Sequence, residues 1–187
     1  MSESRLPPPI GERDHVAGPD DAPLTLVEYG DFECPFCGMA YPIVKAAQRK
    51  LGRQLRLVYR HFPLKQSHPH AQHAAEAAEA ADAQGRFWEM HGVLFENQHA
   101  LEDADLLRYG RSLGLDGHRI AAELEAGTHR KRVRDDFRAG VKSGVNGTPT
   151  FFVNGERFDG IWTDEGAFIR SLRELAGSHA GSRPGRL

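Results

Sequence analysis

Hydrophobic positions along this chain fall at two spacings, and each spacing predicts a different kind of element. Leu24-Thr25-Leu26-Val27-Glu28-Tyr29 is a short apolar, β-prone run entered from the turn Asp20-Asp21-Ala22-Pro23, and it predicts a strand. A turn at Gly30-Asp31 follows, and residues 38–47 have the composition of a helix that stops at Leu51-Gly52. Pro42 falls inside that helix, where it removes one internal hydrogen bond and predicts a kink. Leu55 to Phe62 predicts a second strand, stopped by Pro63. A helical link between two strands requires them to lie parallel, with a right-handed crossover.

From Pro69 the helical period takes over for about eighty residues. Ala71, Ala74, Ala75, Ala78 and Ala81 share one helical face, closed by Gly85, and Phe87 to Phe95 forms a second, more aromatic helix. Leu106, Leu107 and Leu113 lie on a third, Ile120 and Leu124 on a fourth, and Val133, Phe137 and Val141 make the inward stripe of a fifth. Strand character returns at Thr150-Phe151-Phe152-Val153, and Asn154-Gly155 before Arg157-Phe158 signals a hairpin. Thr163-Asp164-Glu165 opens a last helix with Phe168, Leu172 and Leu175 on its buried side. The expected organisation is a flexible arm over 1–18, a core domain from 19–63 and 147–176, a helical insertion over 64–146, and a flexible tail over 177–187.

Composition narrows the function classes. With 187 residues, 40% of them hydrophobic, the chain can bury one good core. A net charge of -2 gives no global field toward nucleic acid or an anionic membrane, and no stretch approaches a membrane span. The start of the chain has no apolar segment of signal-peptide length, so a cytoplasmic location is expected, unless a leader has been removed.

Both cysteines of the chain sit in one motif, Cys34-Pro35-Phe36-Cys37, between the first strand and a helix start. Helix first-turn amides lack internal partners and the peptide dipoles align there, so a thiolate at Cys34 is stabilised. The thiolate is the nucleophile of disulfide exchange, and Cys37 lies within bridging reach to resolve the mixed disulfide. A zinc knuckle is the competing use, but zinc needs about four ligands and no second cysteine pair exists.

The order β-α-β, helices, hairpin, helix is an α/β layout, a thioredoxin-like fold with an inserted all-helical subdomain. Cys34-Pro35-Phe36-Cys37, Pro42 and Gly147-Thr148-Pro149-Thr150 together resemble the DsbA-like thiol–disulfide oxidoreductases over roughly residues 20–176. The resemblance implies that Pro149 is cis, lies beside the active-site dithiol, and borders a strand edge that holds substrate peptide. The Thr148 carbonyl and amide would then pair with an extended peptide. It also implies that Glu28 is a buried acid that moves a proton to or from Cys37; desolvation inside an apolar strand would raise its pKa and suit it to that task.

Pro35 and Phe36 are expected to set the redox poise. Strongly oxidising DsbA-type enzymes carry histidine where Phe36 stands, and phenylalanine offers the thiolate neither charge nor hydrogen bond. A weaker oxidant is therefore expected, leaning toward reduction or stress-related exchange. Phe36 and Phe32 could also give substrate an apolar contact. The implied partners are protein or low-molecular-weight thiols and disulfides, plus a recycling redox partner, with no cofactor beyond the Cys34–Cys37 disulfide.

Other readings are weaker. His68, His70 and His73 suggest a metal, but no carboxylate stands at ligand spacing, and no metal is expected. Arg130-Lys131-Arg132 is broken by Asp135-Asp136 and reads as a solvated helix face rather than a nucleic-acid site. A glutathione-dependent transferase or isomerase of the kappa type resembles the layout, yet those enzymes typically place serine at position 34. A non-catalytic thioredoxin-fold binding module would use the Pro149 edge and need neither thiol.

Overall fold

The structure, a computed structural model, describes residues 9–180. Its strands are β1 (His15–Ala17), β2 (Leu24–Gly30), β3 (Leu55–His61), β4 (Thr150–Val153) and β5 (Glu156–Phe158). Its α-helices are α1 (Pro35–Leu51), α2 (Ala71–Asp82), α3 (Phe87–Glu96), α4 (Asp103–Ser112), α5 (Gly117–Ala126), α6 (Arg130–Lys142) and α7 (Glu165–Ala180). The strands form one sheet in the order β1-β3-β2-β4-β5. As the helical link requires, β2 and β3 run parallel, while every other pair is antiparallel.

Strand alternation divides the sheet into two buried faces. Leu24 and Leu26 of β2, Leu55 and Leu57 of β3, and Phe151 and Val153 of β4 pack under α1 and α7. Val27, Val58, Phe62 and Phe152 face the other way, toward Phe137 of α6, whose ring stacks on Phe62 at 4.3 Å. The β4–β5 turn uses Asn154 (φ 50°) and Gly155 (φ 89°), both in the left-handed region that the Asn-Gly pair tolerates.

The inserted helices α2 to α6 share a core with the active-site region. Phe32, Cys34, Cys37 and Tyr59 belong to the same buried cluster as Met90, Leu94, Leu106, Ile120 and Val133. Helix α2 lies at its centre, with all its alanines buried together with Glu76 and Glu79. Alanine's small side chain lets neighbouring helices approach closely on several sides at once.

Three expectations require correction. Residues 15–17 form β1, paired antiparallel to β3, so the end of the expected loose arm is part of the sheet. Just before it, Asp14 receives two hydrogen bonds from the buried Arg60 guanidinium, at 2.7 and 2.9 Å. Residues 1–8 of the arm lie outside the described residues. Helix α7 continues through Gly177 to Ala180, so the expected tail starts later; residues 181–187 lie outside the described residues. Finally, Val141 is 54% exposed. Gly140 sits against the Phe62 and Tyr29 rings instead, and at 3.6 residues per turn Val141 lies about 80° away from Val133.

Candidate active site

Cys34 caps the N-terminus of α1 with extended backbone (φ -71°, ψ 122°), and Pro35 takes the first helical position, where its missing N–H costs nothing. The turn before it is pinned by Asp31, a buried carboxylate that accepts from the Glu33 amide (2.8 Å) and the Leu64 amide (2.9 Å) and pairs with His68 Nδ1 (2.7 Å). From α3's far end, Gln98 Nε2 donates to the carbonyls of Phe32 and Cys34, both at 2.8 Å. Gly38 makes room for this clamp, since a Cβ there would collide with the Gln98 amide. The Asp31 amide reaches Cys37 Sγ at 3.5 Å.

Across from the helix start lies the loop into β4. The Thr148–Pro149 peptide is cis, and the Cys34 thiol donates to the Thr148 carbonyl at 3.3 Å. Residues 34 and 149, far apart in sequence, thus share one site, and both cysteines are free thiols. Cys34 is 3% exposed, whereas Phe36 at 58% and Met39 at 52% are exposed apolar residues near the start of α1.

The two thiols differ sharply in acidity. The Cys34 pKa falls to about 5, chiefly because the Cys37 thiol donates to it; this outweighs desolvation, and Thr148 and the Cys37 and Phe36 amides add to it. Burial pushes the Cys37 thiol well up, reinforced by its donation to Cys34 and by the Glu28 charge. At neutral pH, Cys34 is the thiolate and Cys37 keeps its proton. Alkylation of the reduced protein by iodoacetamide is therefore expected to be pH-independent above about pH 6 and to drop tenfold per pH unit well below 5. A midpoint near 8.5, the free-thiol value, would contradict this geometry.

Glu28 occupies the β2 position level with Tyr59 of β3 and Phe151 of β4, on the face covered by α1. It is 2% exposed, its Oε1 has no hydrogen-bond partner among the described residues, and burial raises its pKa to about 8. It borders a cavity of about 110 Å³ with Tyr41, Lys45, Gln48 and His91. That polar space is large enough for a few waters between the carboxyl and the helix surface. Tyr59 and His91 are buried beside it among Phe32, Phe87 and Phe95, and burial holds both in their neutral forms.

Of the residues singled out from the sequence, Cys34, Cys37, Glu28, Pro35, Phe36, Thr148 and Pro149 gather at this site. Phe32 does not reach its surface: the ring is 1% exposed, stacked on Tyr59 at 5.3 Å and packed against Phe95, so it is a core residue rather than a substrate contact. The histidines of the 68–73 segment separate, His68 pairing with Asp31 and His73 with Asp103. The sequence reading missed Asp31, Gln98, Tyr59 and His91. Asp31, next to the Gly30 turn, carried a local hint as a turn residue that could bond nearby amides; the other three carried none.

Comparison with known proteins decides the family. A family model described as Thioredoxin matches residues 11–167. The chain belongs to the thioredoxin family. This thioredoxin-family chain is similar to the solved thioredoxin-like oxidoreductase from Silicibacter pomeroyi DSS-3 (TM-score 0.77, 27% identity, covering 90% of this chain and 94% of that one). It is also similar in fold to α-DsbA1 from Wolbachia pipientis (TM-score 0.77, 18% identity, covering 96% and 98%). What these two structures share with the chain is the fold. A sequence relative in Salinispora arenicola, named as the Na(+)/H(+) antiporter NhaA 1, is 46% identical over 175 residues, which is 94% of this chain and 27% of that protein. The chain thus spans about a quarter of the length of the curated relatives it matches. Among the described residues no helix is long and apolar enough to cross a membrane.

Proposed function

We propose that this thioredoxin-family chain exchanges disulfides with protein or low-molecular-weight thiols, with Cys34 as attacking and Cys37 as resolving residue. The Cys34 thiolate attacks one sulfur of a substrate disulfide, and the other substrate sulfur leaves as a thiolate. Glu28 takes the Cys37 proton, directly or through the adjoining cavity. Cys37 then attacks Cys34 Sγ, releasing the second substrate thiolate and closing the Cys34–Cys37 disulfide. Two electrons pass to the substrate, and the reverse sequence oxidises a dithiol. A separate redox partner must return the dithiol to its starting state, and no further cofactor enters.

One observation carries this reading: the Cys34 sulfur sits at a helix start within hydrogen-bond distance of the Thr148 carbonyl, next to Pro149. A substrate held along that loop would present its own sulfur to Cys34. Cys37→Ser stops the sequence after the first attack, so it should accumulate mixed disulfides with substrate that dithiothreitol reverses. Failure to trap any would remove Cys34 as the nucleophile. The same test speaks against the kappa-type transferase reading, which involves no resolving thiol, and against a binding module, which forms no covalent adduct.

Phe36 favours the reducing direction. A histidine at this exposed helix-start position would add a charge beside the Cys34 thiolate and stabilise the reduced form. Phe36→His is expected to raise the reduction potential by about 30 mV or more, the equivalent of about 1.4 kcal/mol. Titration against glutathione measures it, and an unchanged potential would show that position 36 does not set the poise.

A further inference from the structure

The dithiol chemistry leaves one buried cluster unused. His15 of β1, His61 of β3 and Glu79 of α2 bring their ligating atoms within 4.8 Å of one another, and all three residues are buried. His15 Nε2 and His61 Nε2 stand 2.6 and 2.8 Å from the same atom, Glu79 Oε1. His15 turns its other nitrogen, Nδ1, toward Asp82 Oδ1 at 3.4 Å. The Glu79 contact is much the shorter of the two, so in the metal-free cluster a proton sits on Nε2, and Asp82 is a looser electrostatic partner of the ring. Loss of the two Nε2 protons would turn both imidazole lone pairs toward one carboxylate, the donor set of a divalent transition metal.

We infer that His15 Nε2, His61 Nε2 and the Glu79 carboxylate form a binding site for one divalent transition-metal ion of the zinc class, with Asp82 orienting His15. Two imidazoles and one carboxylate suit zinc, whereas calcium and magnesium prefer oxygen alone. The three ligands leave a fourth position for water. Bond lengths of about 2.0–2.1 Å require the present contacts to widen to about 3.3 Å, within the reach of small side-chain rotations. The charge balance also favours a cation. Arg132 lies 3.9 Å from Glu79 but also pairs with Asp136, so the carboxylates of Glu79, Asp82 and Asp136 exceed that guanidinium by two charges. An entry path exists: a cleft of about 360 Å³ is lined by His15 and Asp82, with Glu12, Asp14 and Glu89 around it. A bound ion would tie β1, the first described strand, to β3 and to the helical insertion. It would also hold His61 against Tyr59 and Phe32, at ring separations of 5.5 and 5.9 Å.

The test uses the full chain carrying Cys34→Ser and Cys37→Ser, so that no thiol competes for metal. Zinc titrated against a chromophoric chelator should bind at one equivalent with a Kd below about 1 µM. X-ray absorption should show a nitrogen and oxygen shell with two imidazoles. Asp82→Asn changes a half-exposed side chain and should weaken binding by about 10–100-fold, while Glu79→Gln should abolish it. A hundredfold excess of zinc over Kd should raise Tm by about 5–10 °C. Binding no tighter than about 10 µM would overturn the inference and leave a proton as the bridging cation. So would tight binding that neither variant weakens, or an absorption shell lacking imidazole; where Glu79→Gln fails to fold, the shell and Asp82→Asn still decide.

Discussion

Cys34→Ser is expected to bring dithiothreitol-driven insulin reduction down to the rate of dithiothreitol alone, a loss of roughly three orders of magnitude in the catalysed reaction. The change removes the only thiol that ionises near neutrality: Cys34 titrates at about 5, whereas burial keeps Cys37 protonated well beyond the ordinary thiol range. A serine hydroxyl in the same place accepts the same helix-start amides but is no nucleophile toward sulfur. Cys37 cannot substitute, because it is fully buried in the core cluster that contains Phe32 and Tyr59. Insulin reduction that persists in Cys34→Ser would remove disulfide exchange at this site as the function and leave the binding-module reading.

Glu28 should give the fold a pH dependence opposite in sign to that of a paired carboxylate. Its pKa is raised from 4.5 to about 8 by burial alone. Below pH 4.5 the carboxyl is protonated in both folded and unfolded chains, and it costs nothing through ionisation. Between 4.5 and about 8 the unfolded chain ionises while the folded chain holds its proton, so stability falls as pH rises, and above 8 the loss is complete. Its full size is on the order of 5 kcal/mol. Glu28→Gln should flatten this slope, and Glu28→Leu should also stabilise the protein at pH 8 by several kcal/mol, about the order of a buried unpartnered polar group. Urea denaturation of the oxidised protein from pH 4.5 to 9 isolates the effect, since the disulfide removes both thiol titrations. A profile shared by wild type and Glu28→Gln would mean that the carboxyl is hydrated or paired. The same variant should slow resolution of the mixed disulfide by about 10²–10⁴-fold, because the proton on Cys37 loses its acceptor.

The two effects pull against each other at one residue. A carboxyl that destabilises the fold above pH 4.5 is retained close enough to Cys37 to influence its acidity, where the proposed exchange needs a proton acceptor. The neighbouring His91 and Tyr59 are buried just as fully, and in their neutral forms neither supplies Glu28 with a compensating charge.

Local signals carried much of the fold. Leu24 to Tyr29, Leu55 to His61 and the Asn154-Gly155 turn lie where their patterns placed them, because alternation and turn chemistry act within a few residues. Strand β1 was not legible: His-Val-Ala is three residues long and becomes a strand only through β3. Arg60 and His61, a charged and a polar residue at the end of β3, are both buried. Arg60 is met by Asp14, and the His61 amide by Asp136, partners 46 and 75 residues away. Val141 failed because the close approach of Gly140 to the Phe62 ring, rather than hydrophobicity, set the rotation of its helix.

By itself the sequence determined the order of elements after β1, the placement of Cys34 and Cys37 together at a helix start, and the Thr148-Pro149 entry to the hairpin, since each is written in residues close together along the chain. The tertiary structure alone decided which polar groups are buried and what they meet: the Gln98 clamp on the active-site turn, the unpartnered Glu28, and the His15–His61–Glu79 cluster. A side chain's hydration and charge depend on neighbours brought together by folding, and no spacing along the chain records them.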